Sequence, residues 1–155
     1  TFEILKAVEK VNANQKLHLV EKIKAYYNGD LQGKQIALWG LAFKPNTDDI
    51  REAPALSIID ALTAMGATIT AYDPEAMPNV EAQIGDKIKY AANQYEALQD
   101  AVALIIATEW SEFRTHDFEI MFNKIKSKII FDGRNLFDVN KMNELGYYYK
   151  SIGRK

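Results

Sequence analysis

The sequence contains no cysteine among its 155 residues. This absence excludes a disulfide framework, a thiolate metal site and a cysteine nucleophile within these residues. It is also what a reducing compartment favours, so we expect the cytoplasm. No apolar run is long enough to cross a bilayer, and the mixed, charged N-terminal residues do not have the pattern of a signal peptide. We therefore expect no membrane association.

The net charge and the histidine content are also low. The net charge is −2, so no basic field is available to attract nucleic acid or an anionic membrane, and any phosphate site must be local. The two histidines, His18 and His116, are far apart and lack neighbouring metal ligands. We therefore predict no metal site. No Ser-His-Asp arrangement is evident either, and we identify no candidate catalytic residue in this chain.

The first 29 residues have the periodicity of one amphipathic helix. Its apolar positions recur at threes, fours and their multiples: Phe2, Leu5, Val8, Val11, Leu19, Ile23 and Tyr26. Asn28-Gly29 is a typical helix stop, since glycine readily adopts the left-handed conformation. A helix of this length spans roughly 40 Å, and its pattern is already running at the first residue. We therefore expect residues 1–29 to be part of a longer linker or dimerisation helix, and residues 30–155 to form a separate domain.

After Gly33, apolar strands alternate with helices. The predicted strands are Gln35–Trp39, Thr68–Tyr72, Ile88–Ala91, Val102–Ala107, Lys128–Phe131 and Tyr147–Tyr149, and the predicted helices are Ala53–Met65, Tyr95–Gln99, Phe118–Ile125 and Val139–Leu145. This alternation predicts a Rossmann-like α/β fold, an open and mostly parallel sheet with helices on both faces. The last strand is expected at an edge, and Ala76–Gly85 is expected to be the most mobile loop.

Ligands of such a sheet bind beyond the C-terminal ends of its strands. Gly40–Pro54 (GLAFKPNTDDIREAP) follows the first strand, where a dinucleotide-binding fold has a glycine-rich phosphate turn. This segment has a single glycine, so a backbone cradle for pyrophosphate is not expected. It offers instead Lys44, a mobile charge suited to phosphate, and Arg51 near a helix N-terminus. The alternative is a solvated loop in which Asp48 and Asp49 pair locally with these cations.

A second candidate segment follows the strand that ends near Phe131. Arg134 stands two residues after Asp132, across a glycine, and an arginine there could hold phosphate or ribose oxygens in a fork. The alternative is a turn in which Asp132 caps the backbone and Arg134 faces water. Asp73 occupies the place of a ribose-binding acid, but Asp-Pro is a common strand stop, and we favour that interpretation.

Several of these segments resemble one enzyme family. Gly40–Pro54 is similar, almost without interruption, to the signature of the C-terminal domain in the UDP-glucose and GDP-mannose dehydrogenase family. Shorter similarities are found in Ala71–Pro74 (AYDP), Thr108–Trp110 (TEW) and Asp132–Leu136 (DGRNL). The last two resemble the UDP-glucose branch more than the GDP-mannose or UDP-N-acetylmannosamine branches.

The resemblance implies a three-part enzyme. In this family an N-terminal NAD-binding domain is joined, through a long central helix that forms a homodimer, to a C-terminal domain that binds the UDP part of the sugar substrate. The sugar alcohol is oxidised to a carboxylate in two NAD-dependent steps through a cysteine thiohemiacetal. The cysteine, the catalytic lysine and the NAD motif precede the part that this chain resembles. We therefore expect the chain alone to be inactive.

The resemblance also assigns roles to four residues. Lys44 and Arg134 match family positions that contact the UDP-sugar, and Phe43 joins them as a substrate-binding residue whose minimal role is to shape the crevice. Arg51 matches an arginine that reaches towards NAD. Two alternatives remain at this stage: the same role for UDP-N-acetylmannosamine or GDP-mannose, or a nucleotide-binding module with no catalytic partner.

Overall fold

A computed structural model describes residues 18–114 and 117–152, and these contain one six-stranded sheet. Its strands are β1 (Gln35–Trp39), β2 (Thr68–Tyr72), β3 (Lys89–Tyr90), β4 (Ala103–Ile106), β5 (Ile129–Asp132) and β6 (Tyr148–Ser151). They lie in the order β3-β2-β1-β4-β5-β6, and every neighbouring pair is parallel. The predicted open sheet is confirmed, with the last strand at an edge.

Helices connect the strands. They are α1 (residues 18–27), α2 (Pro54–Ala64), α3 (Met77–Ile84), α4 (Gln94–Leu98), α5 (Ser111–Arg114), α6 (Phe118–Lys124) and α7 (Val139–Glu144), with a 3₁₀ turn at Gly85–Lys87. Local sequence explains several starts: α2 begins with a proline, whose missing N–H costs nothing there, and Asp117 and Asp138 cap α6 and α7. No helix within the described ranges has both the length and the apolarity to cross a membrane.

The strand order reverses direction beside β1. The chain moves outwards from β1 to β2 and β3, then returns to place β4 on the other side of β1. Ile36 pairs with Ala103 and Trp39 with Ile106 across this junction. The loops that follow β1 and β4 therefore meet at the switch point of the C-terminal edge, which is where open α/β sheets bind ligands in a crevice; we call this the crevice edge.

The core is continuous across both faces of the sheet. All four residues of β4 are buried, as expected for a central parallel strand. Trp39 is fully buried, stacks on Phe113 with ring centroids 5.0 Å apart, and donates its indole N–H to the Gln94 carbonyl at 2.9 Å. Both tryptophans, Trp39 and Trp110, are buried, so neither is a stacking platform for a base.

Helix α1 runs against the strand direction. Its first described turn lies beside the C-terminal end of β5, since a Cβ placed on Gly133 would lie 3.1 Å from Leu19 Cδ2. Its last turn reaches the N-terminal end of β1, where Lys34 Nζ lies 5.4 Å from the Tyr27 ring centroid. The helix ends at Asn28 and Gly29, both with positive φ, as predicted. The expected stripe through Leu5, Val8 and Val11 lies outside the described residues.

The interpretation of Ala76–Gly85 as a loop is wrong, because α3 fills most of that segment. A buried carboxylate oxygen of Asp73 accepts a hydrogen bond from Ala76 N at 2.8 Å and so fixes the start of the helix. Val80 is fully buried and anchors the middle. The polar sequence and the early proline favoured a loop, because a helix this short depends on tertiary contacts that the sequence does not show.

Candidate functional site

Four loops form the crevice edge, one after each of β1, β2, β4 and β5. The four residues singled out from the sequence all lie on two of them: Phe43, Lys44 and Arg51 follow β1, and Arg134 follows β5. Strand β4 lies between β1 and β5 in the sheet. The structure therefore brings all four residues to one edge, with the loop after β4 between the two groups.

The centre of this edge is Asp73, a residue that the sequence led us to regard only as a strand stop. Its side chain is fully buried. Oδ2 accepts hydrogen bonds from Leu41 N at 2.7 Å, Ala42 N at 2.9 Å and Trp110 Nε1 at 3.1 Å. Oδ1 accepts from the backbone N–H groups of Glu75 and Ala76 at 2.9 and 2.8 Å. One carboxylate thus joins the loops after β1, β2 and β4.

The loops after β1 and β4 are also in direct contact. Gly40 has φ +97°, and a Cβ there would lie 2.5 Å from Thr108 Cβ and 2.6 Å from Thr108 N. Glycine is therefore required both by backbone conformation and by space. The buried Thr108 hydroxyl donates to the Ala42 carbonyl at 2.7 Å. The turn at residues 40–42 is fixed on both sides.

This geometry explains why the edge differs from a dinucleotide site. A dinucleotide-binding fold uses backbone N–H groups after the first strand for pyrophosphate and an acid after the second strand for ribose. Here the acid points inwards, and it accepts hydrogen bonds from the N–H groups of Leu41 and Ala42. Neither the acid nor this pair of N–H groups is left for a nucleotide.

Phe43 and Lys44 come directly after this fixed turn and are exposed. Phe43 presents an aromatic surface that is 48% exposed, next in the chain to a cation. Its backbone N–H donates to the Asp49 carbonyl at 2.7 Å, which closes the loop below it. An apolar face beside a mobile positive charge is suited to a ligand that has both a ring and a phosphate.

Arg51 is held by its own loop. Its guanidinium donates to both oxygens of Asp49, from Nε at 3.0 and 3.3 Å and from Nη2 at 2.8 Å, while its side chain is 88% exposed. The hydrogen bonds from the Arg51 side chain and backbone lower the pKa of the Asp49 carboxyl to about 2, and the charges of Arg51 and Lys44 add to this. The local pairing that we had considered for Arg51 is present.

Arg134 is placed by a second buried aspartate. Asp132 Oδ1 accepts from Arg134 N at 2.9 Å, and Oδ2 accepts from Leu136 N, Phe137 N and the Tyr149 hydroxyl at 2.7, 3.2 and 2.6 Å. Asp132 thus caps the backbone turn, as one interpretation held. The Arg134 side chain does not simply face water, since its Nε donates to Glu109 of the loop after β4. Sequence reasoning missed Glu109 as the partner.

The turn after β5 has one further fixed point. Asn135 has φ +55°, a conformation that asparagine tolerates better than most residues. Its side-chain amide donates to the Ile152 carbonyl at 2.9 Å and accepts from Ile152 N at 3.0 Å. This pair extends the β5–β6 ladder by one step and orients the turn that carries Arg134. In the described ranges, no cluster of three acidic or histidine side chains could hold a metal ion.

The comparison with known families covers this edge of the sheet. The UDP binding domain of the UDP-glucose/GDP-mannose dehydrogenase family matches residues 37–139, which is more than half of the chain. The chain belongs to this family. The matched range includes Phe43, Lys44, Arg51 and Arg134, together with both buried aspartates. The resemblance seen in Gly40–Pro54 is confirmed.

Individual relatives are similar over nearly the whole chain. The chain is 41% identical to UDP-glucose 6-dehydrogenase TuaD of Bacillus subtilis over 99% of its length, and 42% identical to UDP-glucose 6-dehydrogenase of Pseudomonas aeruginosa over 98%. These matches cover 33% and 35% of the two relatives, so the chain spans about a third of their length. A UDP-glucose dehydrogenase from Pyrobaculum islandicum superposes with a TM-score of 0.76 at 32% identity, covering 94% of this chain and 31% of that one.

Proposed function

We propose that this family member is the UDP-sugar-binding part of an NAD-dependent UDP-glucose 6-dehydrogenase, which oxidises UDP-glucose to UDP-glucuronate in two steps. The observation that carries the proposal is that Lys44 and Arg134 follow two strands at the same edge of one sheet, in a family UDP binding domain. The relatives named UDP-glucose 6-dehydrogenase support the choice of sugar.

Side chains, and not the turn at Leu41 and Ala42, hold the diphosphate in this proposal. The N–H groups of that turn already bind Asp73, so Lys44 and Arg134 are the groups left to contact the phosphate oxygens. Each charge-assisted hydrogen bond of this kind contributes about 1.5–3 kcal/mol. Arg134 already holds a carboxylate, Glu109, and a phosphate oxygen would take its place.

Phe43 and Arg51 have different roles. Phe43 bounds the crevice with its exposed ring and packs against the apolar part of the UDP-sugar. The Arg51 side chain is 88% exposed. It has room to leave Asp49 and reach a phosphate of NAD. NAD itself is bound mainly by an upstream domain, which also supplies the cysteine nucleophile that this chain lacks.

The complete enzyme is a cytoplasmic homodimer in this proposal, with residues 1–29 in its dimerisation helix. Helix α1 approaches the sheet from the crevice edge, where Leu19 lies beside Gly133. The linker and the UDP-sugar are therefore on the same side of the domain, which suits a substrate shared with a second domain.

Calorimetric titration of the 155-residue chain with UDP, UDP-glucose and GDP tests the binding role. We expect UDP and UDP-glucose to bind more tightly than GDP, and Lys44→Ala or Arg134→Ala to weaken binding about ten- to a hundredfold. Arg134→Lys should not restore a forked contact. The matched control is Lys87→Ala, a cation paired with Asp60 away from the crevice, which should leave binding unchanged. Unaltered binding in both alanine variants would remove the proposed site.

Activity measurements test the remaining assignments. The purified chain should produce no NADH from UDP-glucose, whereas in the complete enzyme Arg51→Ala should raise the KM for NAD more than that for UDP-glucose. Tighter binding of GDP-mannose or UDP-N-acetylmannosamine than of UDP-glucose would reassign the sugar without changing the role of the domain.

A further inference from the structure

We propose that the carboxylate of Asp73 is a built-in anion, which fills the phosphate-binding turn of the fold from within and thereby positions Phe43 and Lys44 for the UDP-sugar. The positioning role rests on the proposed function. The occupation of the turn by an internal anion does not, and a different measurement tests it.

The first argument is the set of donors around Asp73. Three N–H groups from two separate chain segments, those of Leu41, Ala42 and Trp110, converge on Oδ2 within 3.1 Å. Two more, from Glu75 and Ala76, bind Oδ1. All five donors are neutral, and the side chain is fully buried. Convergent neutral N–H groups around a buried negative charge are the arrangement that proteins use to bind a phosphate or carboxylate ligand.

The second argument is what the fixed turn presents. The N–H groups of Leu41 and Ala42 are held by Asp73, and the Ala42 carbonyl is held by the Thr108 hydroxyl at 2.7 Å. Phe43 and Lys44 follow at once in the chain and are exposed. Because the preceding residues have backbone contacts on both sides, the origin of these two side chains is fixed in the crevice. Asp73 never touches the ligand, so it is a positioning residue.

The third argument concerns selectivity. Since an internal carboxylate already occupies the N–H groups of this turn, an external pyrophosphate cannot use them. The diphosphate must then lie further out, where side chains of the loops after β1 and β5 contact it. A turn closed in this way disfavours the binding of a dinucleotide in the manner of a dinucleotide-binding fold, and leaves the domain to a nucleotide held by side chains.

Whether Asp73 occupies the turn is tested by removing its carboxylate and then supplying a small carboxylate ion from solution. Asp73→Ala in the 155-residue chain should lower Tm by about 5–15 °C. Sodium formate should then raise the Tm of this variant by at least about 4 °C more than sodium chloride at equal ionic strength, with no such difference for the wild-type chain. The matched control is Leu98→Ala, which removes a buried side chain before the start of β4 and opens an apolar space. Equal effects of formate and chloride on Asp73→Ala would overturn the proposal.

UDP titration tests the positioning role. Asp73→Ala and Asp73→Asn should each bind UDP at least about tenfold more weakly than the wild type, formate should restore part of the affinity of Asp73→Ala, and Leu98→Ala should bind as the wild type does. If Asp73→Ala does not fold, Asp73→Asn, which keeps the shape of the side chain, is measured alone. Wild-type affinity in the folded variant would overturn the role. Absence of UDP binding by the wild type would instead reject the proposed function, while the formate result would still decide whether an internal anion fills the turn.

Discussion

Two buried aspartates, Asp73 after β2 and Asp132 at the end of β5, organise the crevice edge in different ways. Both are fully buried and have both oxygens occupied. The donors to Asp73 come from three loops and are up to 37 positions away in the sequence. Those to Asp132 come from the five residues that follow it and from one tyrosine of the adjacent strand. One half of the site is held by long-range contacts, and the other mainly by its own turn.

The difference shows how each half of the proposed site depends on the rest of the domain. Arg134 stands on a turn that its own neighbours largely determine. Lys44 stands on a loop whose position requires β2 and β4 as well as β1. Damage in the core should therefore displace Lys44 before it displaces Arg134.

Removal of each aspartate should produce the largest effects. We expect Asp73→Ala and Asp132→Ala each to lower the free energy of unfolding by about 3–5 kcal/mol in urea denaturation, since each leaves several buried donors without an acceptor. Hydrogen exchange should separate them. Loss of Asp73 should deprotect N–H groups in three loops, whereas loss of Asp132 should deprotect only residues 134–137. A change confined to residues 73–76 in Asp73→Ala would contradict the comparison.

The two glycines of the crevice edge should show a smaller difference in the same direction. Gly40→Ala places a Cβ 2.6 Å from backbone N of Thr108 at a positive φ, and we expect a loss of about 3 kcal/mol. Gly133→Ala places a Cβ 3.0 Å from the Ile106 carbonyl and 3.1 Å from the end of the Leu19 side chain, so about 1 kcal/mol is expected. Gly146 also has a positive φ, but a Cβ there would meet no atom within 4 Å. Gly146→Ala therefore measures the cost of the backbone conformation without a steric clash. Equal losses at Gly40 and Gly146 would show that contact with Thr108 is unimportant.

Tyr149 in β6 and Tyr147 just before it test how the Asp132 half of the site is stabilised. The Tyr149 hydroxyl donates to Asp132 at 2.6 Å, and Tyr149→Phe should cost about 1–2 kcal/mol. The buried Tyr147 hydroxyl has no hydrogen-bond partner among the described residues, and burial raises its pKa to about 12. Tyr147→Phe should therefore leave stability unchanged or increase it slightly, as measured by thermal unfolding. A larger loss for Tyr147→Phe than for Tyr149→Phe would reverse this assignment.

The exposed pair in the same loop as Lys44 should give the smallest effect. Hydrogen bonds from Arg51 hold the pKa of Asp49 at about 2 in the folded chain. A depressed pKa contributes stability above the ordinary carboxyl pKa, and this contribution is lost as the pH falls through about 2. NMR titration of Arg51→Ala should return the Asp49 midpoint towards its ordinary value, with only a small fall in the unfolding midpoint at pH 7, because solvent screens this exposed pair. A clear loss of stability at pH 7 would show that exposed charges, and not only Asp73, hold this loop.

The sequence predicted the architecture well because its signals are local. The run Val102–Ala107 is typical of a buried strand without any knowledge of its neighbours, and Asn28-Gly29 favours a helix end through its own backbone preferences. The exact partner of Arg134 and the role of Asp73 could not be found in this way. Each depends on residues that only the folded sheet brings together: Glu109 in one case, Leu41 and Trp110 in the other.

The same distinction explains the misread segment and the site residues. Helix α3 is held by the hydrogen bond from Ala76 N to Asp73 and by the burial of Val80 in the core, and neither contact leaves a pattern in Ala76–Gly85 itself. Lys44 and Arg134 are unremarkable as isolated charges on polar loops. Resemblance to a family selected them, and the sheet topology then placed both loops at the same edge. Their contact with a UDP-sugar stays a prediction.

The pairing of β1 with β4 has a consequence for the order of folding. These strands are adjacent at the centre of the sheet, yet Ile36 pairs with Ala103, so the whole of β2, β3 and their helices lies in the chain between them. Pairing strands so far apart in the chain is slow, because the loop-closure entropy is lost before the non-local contacts form. The crevice is created by this one docking event. We therefore expect nascent chains to pass through a stage with well-formed β1–β2 structure but no assembled crevice edge, and to complete that edge in a single late step.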